Sequence, residues 1–275
     1  MTYGVLLSAC LFASAAENGA MLELSALGTP QAAPDIVAVA PVPRPRKPGL
    51  TLLRAVEPVP DYSIKMVNVI HVDPANYEVR AVLAQTVLHR SRATLPEMMA
   101  AVPEAMAGMN ASFFSLKDGG LVGFFMEGGK VKKYQPHPSM DRIFFTRADG
   151  TAGVSYGTEL DPKGVASAVS GKSSWDQESP SARTALCIDS GGHVRLVSAY
   201  PVKTLGWMTE YLRTRETCSK IVHLDGGGST QTAFRGPGGL SIGWERKHAC
   251  EKPQRESPAE CFRKVPAFLL VLPRR

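Results

Sequence analysis

The chain has 275 residues, of which 44% are hydrophobic and 20% are charged, and its formal net charge is +6. A chain of this length can bury one substantial hydrophobic core. Its 25 glycines and 21 prolines exclude a helical bundle or a coiled coil. The positive charges are scattered and form no stripe interleaved with aromatic side chains. This argues against binding to nucleic acid and leaves a loose attraction to anionic polysaccharide.

Residues 1–16 resemble an export signal. The run Val5–Ala16 is apolar, is too short to span a bilayer, and ends in Ala-Ser-Ala-Ala, the pattern of a signal-peptide cleavage site. We therefore expect a secreted or periplasmic protein, with no stable membrane insertion after signal removal. The sequence Leu7-Ser8-Ala9-Cys10 also resembles a lipobox, so a lipoprotein anchored through Cys10 is the alternative.

Residues 17–60 form a proline-rich stretch. Eight prolines fall between Pro30 and Pro60, a density that predicts an extended, semi-rigid linker rather than a folded element. The folded domain is accordingly expected over residues 61–275. Its first elements are predicted to be two strands, Ile64–Val72 and Tyr77–Leu83, because their hydrophobic residues alternate.

Two helices are predicted from capping and periodicity. The sequence Thr94-Leu-Pro-Glu97 supplies an N-cap followed by a proline in the first turn, which is typical of a helix start. Farther along, Thr204–Arg215 places Leu205, Met208 and Leu212 on one face of an amphipathic helix.

The cysteines at the end of the chain predict one disulfide. Cys250 and Cys261 flank a short polar loop, so a bond between them is expected in an exported protein. Cys187 lies in an apolar run and is interpreted as a buried thiol. Cys218 has no evident partner. No spacing of Cys and His resembles a zinc site, so no metal is expected.

The sequence Ala166–Ser173 matches a loose form of the P-loop pattern, but a nucleotide site is not expected there. A true P-loop follows a buried strand and opens a helix whose N-terminus faces the phosphates. The segment after Ser173 contains Trp175 and Pro180 and is a poor helix start.

The segment Ile221–Phe234 carries the strongest candidate for a functional site. A short β-prone run ends at Asp225, and three glycines and two hydroxyl residues follow, namely Gly226, Gly227, Gly228, Ser229 and Thr230. Glycines allow backbone N–H groups to approach a ligand closely, so a carboxylate beside them suits chemistry on a polar or anionic group. The alternative is a structural hairpin or bulge with Asp225 as its turn residue.

Three more side chains are candidates for this site. Arg183 precedes a β-prone run, where its planar guanidinium can bind a phosphate or pair with Asp225. Asn110, at the edge of an apolar stretch, is either a hydrogen-bond donor to substrate or a buried amide satisfied by backbone. Phe113 and its neighbour Phe114 offer an apolar wall, although core packing is the simpler role for at least one of them.

Taken in order, these segments resemble the phosphodiester glycosidase family. The motifs are Met109-Asn110-x-x-Phe113-Phe114, Gly120-Leu121-Val122, Arg183-Thr184-Ala185 with Ile188-Asp189, Leu224-Asp225-Gly-Gly-Gly-Ser229 and Arg263-x-Val265. The resemblance runs from about Tyr62 to Leu272. It implies a compact α+β domain of mixed sheets with packed helices, an exported hydrolase, and no cofactor. Ala111-Ser112 stands where the family usually has two glycines, and Cys187 stands where glycine is common.

The chemistry implied for the site needs only one carboxylate. The phosphate of a glycosyl phosphodiester is a far better leaving group than an alcohol, so general-acid help matters less than in ordinary glycoside hydrolysis. Asp225 would act as nucleophile, base or oxocarbenium stabiliser. A second carboxylate cannot be assigned among Asp189, Glu127 and Asp118. The expected ligand is a glycosyl phosphodiester or an anionic polysaccharide, and a non-catalytic glycan-binding module is the alternative.

Overall fold

The computed structural model describes residues 49–58, 64–173, 181–202, 204–236, 239–243 and 262–274. In chain order its strands are β1 (Leu50–Pro58), β2 (Ile64–Val72), β3 (Tyr77–Leu83), β4 (Ala107–Asn110), β5 (Gly123–Glu127), β6 (Lys130–Gln135), β7 (Arg142–Arg147), β8 (Ala152–Tyr156), β9 (Val165–Gly171), β10 (Ser181–Asp189), β11 (Val194–Val202), β12 (Cys218–His223), β13 (Thr232–Gly236), β14 (Gly239–Gly243) and β15 (Ala267–Pro273). The helices are α1 (Ala84–Leu88), α2 (Leu95–Ala101) and α3 (Leu205–Thr214), with a one-turn 3₁₀ helix at Gly227–Ser229.

The strands form three five-stranded sheets, and every pairing within them is antiparallel. Sheet A has the order β1-β2-β11-β10-β12, sheet B the order β14-β13-β4-β15-β3, and sheet C the order β6-β5-β9-β7-β8. The expected α+β class with mixed sheets is therefore wrong, because the domain is predominantly β. The α-helices of the described chain have five, seven and ten residues and only cover sheet faces.

A central hydrophobic core joins the three sheets. Ile70 and Leu186 of sheet A, Met109 of sheet B, and Phe125 and Phe144 of sheet C all belong to one buried cluster. Each of these side chains is at most 1% exposed. Burial of this kind contributes about 1.5–3 kcal/mol per large apolar side chain, so the contacts among the three sheets dominate the stability of the domain.

The two predicted helices form at their expected starts. Thr94 caps α2 and exchanges hydrogen bonds with Glu97 in a capping box, with a 2.7 Å bond from the Thr94 N–H to the Glu97 carboxylate. Thr204 caps α3 by accepting a 3.0 Å bond from Trp207 N. Met208 and Leu212 of α3 are fully buried against sheet A, as the periodicity predicts.

The folded region begins earlier than the sequence indicates. Strand β1 pairs with β2 along its whole length, from Leu50 opposite Val72 to Pro58 opposite Ile64. These residues fall in the stretch 17–60 that was expected to be a linker. Leu50 is fully buried, and Leu52 packs against the central core. The proline density of residues 17–60 predicts a linker, but β1 contains only Pro58, at its last position, and is an edge strand, where proline is tolerated.

The cysteine prediction needs one correction. Cys187 and Cys218 form a disulfide, so Cys187 is not a free thiol and Cys218 does have a partner. The bond joins β10 to the first residue of β12, its neighbour in sheet A. Cys250 and Cys261 lie outside the described residues, as do the export signal and Cys10. No helix in the described part of the chain is long and apolar enough to cross a membrane.

Candidate active site

Asp225 lies just beyond the end of β12, at the edge of sheet A. The backbone N–H of Leu224 still donates to Thr184 O of β10 across 2.9 Å, which continues the sheet pairing by one residue. The next N–H, that of Asp225, leaves the sheet and donates to Ala111 O at 3.2 Å. The carboxylate is thus held where sheet A meets the segment that follows β4. Asp225 and the three glycines after it are all partly exposed.

The glycine loop packs directly against the start of β10. A Cβ atom on Gly226 would lie 2.8 Å from Ala182 O and 3.7 Å from Arg183 Cα, so a side chain there would displace the loop. Gly227 has φ +58°, which favours glycine. These glycines therefore bring the Asp225 loop close to the backbone of Arg183.

Only some of the loop amides remain available to a ligand. The Gly226 N–H donates to the carboxylate of Asp225 itself, and the Ser229 N–H donates to Gly226 O at 3.1 Å. Gly227 and Gly228 open the 3₁₀ turn, where backbone donors have no acceptor within the turn. Thr230 is held from the other side, since its hydroxyl lies 3.2 Å from Thr184 Oγ1.

Asn110 is a buried support of this loop rather than an exposed donor. Its side chain is 1% exposed, and its Nδ2 donates to the backbone carbonyl of Asp225 at 2.6 Å. Its Oδ1 accepts bonds from Thr184 Oγ1 at 3.1 Å and from Gln231 N at 3.0 Å. Of the two roles left open by the sequence, the geometry is that of a buried amide satisfied by protein groups.

The carboxyl group of Asp225 has a raised pKa. Burial raises its pKa from the usual 3.8 to about 6, although the Ser229 hydroxyl, the charge of Arg263 and the Gly226 N–H all oppose this shift. The carboxylate is therefore mostly ionised at neutral pH and becomes protonated in mildly acidic solution. A carboxyl group with a raised pKa, partly exposed and beside hydrogen-bond donors, is typical of an active site.

Arg183 is 7% exposed and lies near the start of β10, two residues before Ala185. Ala185 packs under α3, so alternation along the strand places Arg183 on the same face of sheet A. Burial lowers the pKa of its guanidinium, and its charge acts on His223 of β12. An arginine is always charged in proteins, so Arg183 places a positive charge near His223 on the α3 face of sheet A.

Two further cations were missed as site residues by the sequence analysis. Lys172 belongs to the rejected P-loop pattern, but its Nζ lies 5.1 Å from the ring centroid of Phe113. Its backbone exchanges two 2.9 Å hydrogen bonds with His223. Arg263 stands in the last motif of the family resemblance, and its charge acts on Asp225. Both come from segments that are distant from Ile221–Phe234 in the sequence. Only knowledge of which segments pair in the fold could have identified them.

Gln231 connects these parts and was also missed. It is 1% exposed, and its Nε2 donates to Arg263 O at 2.8 Å and to Ser229 O at 3.4 Å. Its Oε1 accepts a 2.8 Å bond from Leu95 N at the start of α2. One amide thus holds the glycine loop, the segment of Arg263 and helix α2 in fixed relation.

The two phenylalanines have different roles. Phe113 is partly buried and faces the ammonium of Lys172, so its ring remains a candidate wall of the site. Phe114 instead packs with the buried cluster between sheet B and the first two helices, with Arg92 over its ring at 5.3 Å. The packing of Phe114 confirms the prediction that at least one of the pair belongs to the core.

The three candidate second carboxylates are all engaged elsewhere. Asp189, at the far end of β10, accepts a 2.7 Å bond from Arg195. Glu127 accepts bonds from Leu83 N and Thr86 Oγ1, beside a cavity of about 550 Å³ under α1. Asp118 lies in an exposed turn and binds Gly120 N. Among the described residues, no three His, Cys, Asp or Glu side chains are grouped as metal ligands.

Comparison with solved structures supports the fold. The catalytic domain of zebrafish N-acetylglucosamine-1-phosphodiester alpha-N-acetylglucosaminidase, described as auto-inhibited by its pro-peptide, superposes with a TM-score of 0.59 and 17% identity. The alignment covers 83% of this chain and 85% of that domain. A hypothetical protein from Synechocystis gives a TM-score of 0.53 and 12% identity, over 82% of this chain and 62% of its own.

A third structure, a Burkholderia pseudomallei protein described as exported, gives a TM-score of 0.53 and 14% identity over 79% of this chain and 76% of its own. Identities this low show a common fold only. No protein-family model and no curated protein sequence matches the chain. The resemblance is thus confirmed as a fold, and family membership stays a prediction. The exported neighbour and the Cys187–Cys218 disulfide fit a secreted or periplasmic protein.

Proposed function

We propose that this protein is an exported hydrolase that cleaves the sugar–phosphate bond of glycosyl phosphodiesters. The observation that carries the proposal is Asp225, a partly exposed carboxylate with a raised pKa, set against a glycine loop in a region that also holds Arg183, Arg263 and Lys172. A carboxylate with the cation Arg263 acting on it suits a substrate that combines a sugar with a negatively charged leaving group. The fold shared with a phosphodiester glycosidase catalytic domain gives independent support.

Asp225 acts on the sugar in this proposal. As the bond between the anomeric carbon and the phosphate oxygen breaks, positive charge develops on the sugar, and an ionised carboxylate stabilises it directly or by forming a covalent bond. Water then supplies the hydroxyl at the anomeric carbon, and its remaining proton passes to Asp225 or to the released phosphate monoester. Because the pKa of Asp225 is about 6, turnover should rise with pH through that value.

In this proposal, the cations and the glycine loop bind the phosphate. Arg183 offers a planar pair of N–H donors that matches two phosphoryl oxygens. The amides of Gly227 and Gly228 are the loop donors best placed for an oxygen, since those of Gly226 and Ser229 are used within the loop. Stabilising the released phosphate monoester replaces general-acid catalysis, so none of the three carboxylates engaged elsewhere is required.

The sugar would lie against Phe113. Its ring is partly buried and faces the Lys172 ammonium, which leaves an apolar surface with a polar edge. Asn110 contributes indirectly, by fixing the backbone of Asp225, and not as a contact to a sugar hydroxyl. The contacts that would select one sugar over another are thus few among the described residues, so the proposal names a substrate class and not a single compound.

The test is hydrolysis of a panel of chromogenic glycosyl phosphodiesters by the wild type and by the variants Asp225→Asn and Asp189→Asn. Asparagine keeps the shape of aspartate and removes its charge, so Asp225→Asn should retain the fold and lose about a thousandfold or more in kcat/KM. Asp189→Asn controls for loss of a carboxylate from the same sheet and should keep turnover. Near-normal turnover by Asp225→Asn would contradict the mechanism. Glycan binding without turnover by the wild type would favour the non-catalytic module.

A further inference from the structure

His223 is a buried titratable residue that the proposed reaction does not use. It is 1% exposed and is the last residue of β12, two positions before Asp225. Its backbone is fixed on both sides, since it lies opposite Ala185 of β10 and exchanges two 2.9 Å hydrogen bonds with Lys172. Gly171 permits this approach, because a Cβ atom there would lie 2.4 Å from His223 O.

The imidazole shares one face of sheet A with Arg183. Ile221 packs under α3, so alternation places His223 on that face as well. Ala185, directly opposite, has a small side chain, and Arg183 is the diagonal neighbour two residues before it. Diagonal neighbours of this kind lie about 7–8 Å apart, within reach of a long side chain. The positive charge of Arg183 lowers the pKa of the His223 ring.

One ring nitrogen of His223 has a partner, and the other has none within the described residues. Nε2 lies 2.9 Å from Thr209 Oγ1 of α3. Nδ1 is fully buried and makes no hydrogen bond to any described group. Buried polar atoms without a partner are rare in native proteins, so Nδ1 is a candidate hydrogen-bond donor to a ligand.

We propose that His223 is a phosphate-binding residue, whose Nδ1–H donates a hydrogen bond to a phosphoryl oxygen held by Arg183. In this arrangement the Thr209 hydroxyl donates a hydrogen bond to Nε2, so the proton of the neutral ring is on Nδ1. This inference rests on the proposed function for the choice of phosphate, and it deepens that function by assigning the anion to the Arg183 and His223 side of Asp225. The sugar then faces the carboxylate.

Electrostatics agree with this assignment. Burial, together with the charge of Arg183, lowers the pKa of His223 from 6.5 to about 4, so the ring is neutral at physiological pH. Three other groups lie near it. Thr209 on α3 is uncharged, Lys172 pairs with the backbone of His223 on the side of β12 away from β10, and Asp225 follows two positions along the chain. A neutral ring still donates from Nδ1, and it competes less with Arg183 for the same anion than a second cation would.

Two substitutions separate the ring nitrogens. In His223→Asn the amide occupies roughly the place of Nδ1, and in His223→Gln it reaches the place of Nε2. Binding of inorganic phosphate to the full chain is measured for both variants by isothermal titration calorimetry at pH 7. We expect His223→Asn to bind nearly as well as wild type. His223→Gln keeps the contact with Thr209 and should bind about tenfold to a hundredfold more weakly, as expected for a lost hydrogen bond to a charged group.

Equal phosphate affinity in all three proteins would overturn the proposal, as would the absence of phosphate binding by the wild type. A purely structural histidine would give the reverse order, with lower Tm and weaker binding in His223→Asn and normal values in His223→Gln. Phosphate binding by a wild type that cleaves no phosphodiester would contradict the hydrolase and leave the His223 assignment intact.

Nuclear magnetic resonance of the ¹⁵N-labelled wild type gives a readout that needs no folded variant. We expect the Nδ1-protonated tautomer of His223, with an Nδ1 resonance that moves when inorganic phosphate is added. An Nε2-protonated ring, or resonances that phosphate does not move, would overturn the proposal.

Discussion

The side-chain amide of Asn110 donates a 2.6 Å hydrogen bond to the backbone carbonyl of Asp225, across 115 positions of sequence. Asn110 ends β4 in sheet B, and Asp225 follows β12 in sheet A. The same amide accepts bonds from Thr184 and Gln231, so one buried side chain fixes three segments around the candidate carboxylate. Asn110 is therefore a positioning residue, and its substitution should act through Asp225.

Asn110→Asp should reduce both stability and turnover. An ionised aspartate has the same shape but only accepts hydrogen bonds, so it faces the Asp225 carbonyl with a lone pair. We expect a loss of about 1–3 kcal/mol in the free energy of unfolding. Displacement of Asp225 should lower turnover by about a hundredfold. Urea unfolding and phosphodiester hydrolysis measure the two effects.

The matched control is Asn68→Asp. Asn68 is 2% exposed and lies on β2, two strands from Thr184 of β10, and it donates to Ser198 Oγ at 3.3 Å. It should lose stability and keep its turnover per folded molecule. If both variants lose turnover equally, Asn110 has no special relation to Asp225.

Arg183→Lys should damage turnover more than folding. Lysine keeps the positive charge but loses the two parallel donors of guanidinium, so we expect a ten- to thousandfold lower kcat/KM with a small change in Tm. Arg195→Lys is the control, because Arg195 lies on β11 of the same sheet and pairs with Asp189 at 2.7 Å. That variant should lower Tm and leave turnover unchanged. The same pattern in Arg183→Lys would show that Arg183 is structural.

Asp225→Asn should make the protein more stable at alkaline pH. An acid whose pKa is higher in the folded chain binds more protons when folded, so its contribution to stability falls as pH rises from the usual 3.8 through about 6. The full cost, reached above pH 7, is at most about 3 kcal/mol for a shift of two pKa units. Asparagine carries no such cost. The difference in the free energy of unfolding between variant and wild type should therefore grow between pH 4 and pH 7.

Asp189→Asn should change the free energy of unfolding in the opposite direction. The Asp189 carboxylate accepts bonds from Gly191 N, His193 N and Arg195, so its neutral replacement should be destabilising at pH 8. A pH-independent difference for Asp225→Asn would mean that Asp225 is not desolvated in solution.

Removing the Cys187–Cys218 disulfide should lower stability without affecting the site chemistry. The bond joins positions 31 residues apart, and closing a loop of this size in the unfolded chain is worth about 2–4 kcal/mol. The double variant Cys187→Ala, Cys218→Ala should show this loss in urea unfolding and keep its turnover at 25 °C. Adding a reductant to that variant tests the predicted bond between Cys250 and Cys261, because only a second disulfide would produce a further loss.

Local patterns in the sequence were enough to predict several elements. The strands Ile64–Val72 and Tyr77–Leu83 form at their predicted bounds because alternation and the turn between them are short-range signals. The capping box of Thr94 and Glu97 is likewise complete within four residues. The Asp225 loop also stood out, since consecutive glycines after a β-prone run change what the backbone can do locally.

The fold class could not be read in the same way. The sequence contains patterns typical of helices and of strands. Whether the domain is α+β or predominantly β depends on how many segments pair as strands, which local patterns do not show. Strand β1 shows this, because the proline-rich stretch in which it lies predicts a linker while its nine-residue pairing with β2 makes it part of sheet A. The family resemblance implied an α+β domain, and the antiparallel pairing of three sheets corrects it.

The sequence by itself determined which residue carries the candidate carboxylate and that flexible glycines surround it. The tertiary structure decided what accompanies that carboxylate. Lys172, Arg263 and Gln231 reach the site, and Cys187 meets Cys218, only because strands far apart in the chain pair in a particular register. Register is fixed by burial of whole sheet faces in the shared core, a property of many residues together that no local pattern contains.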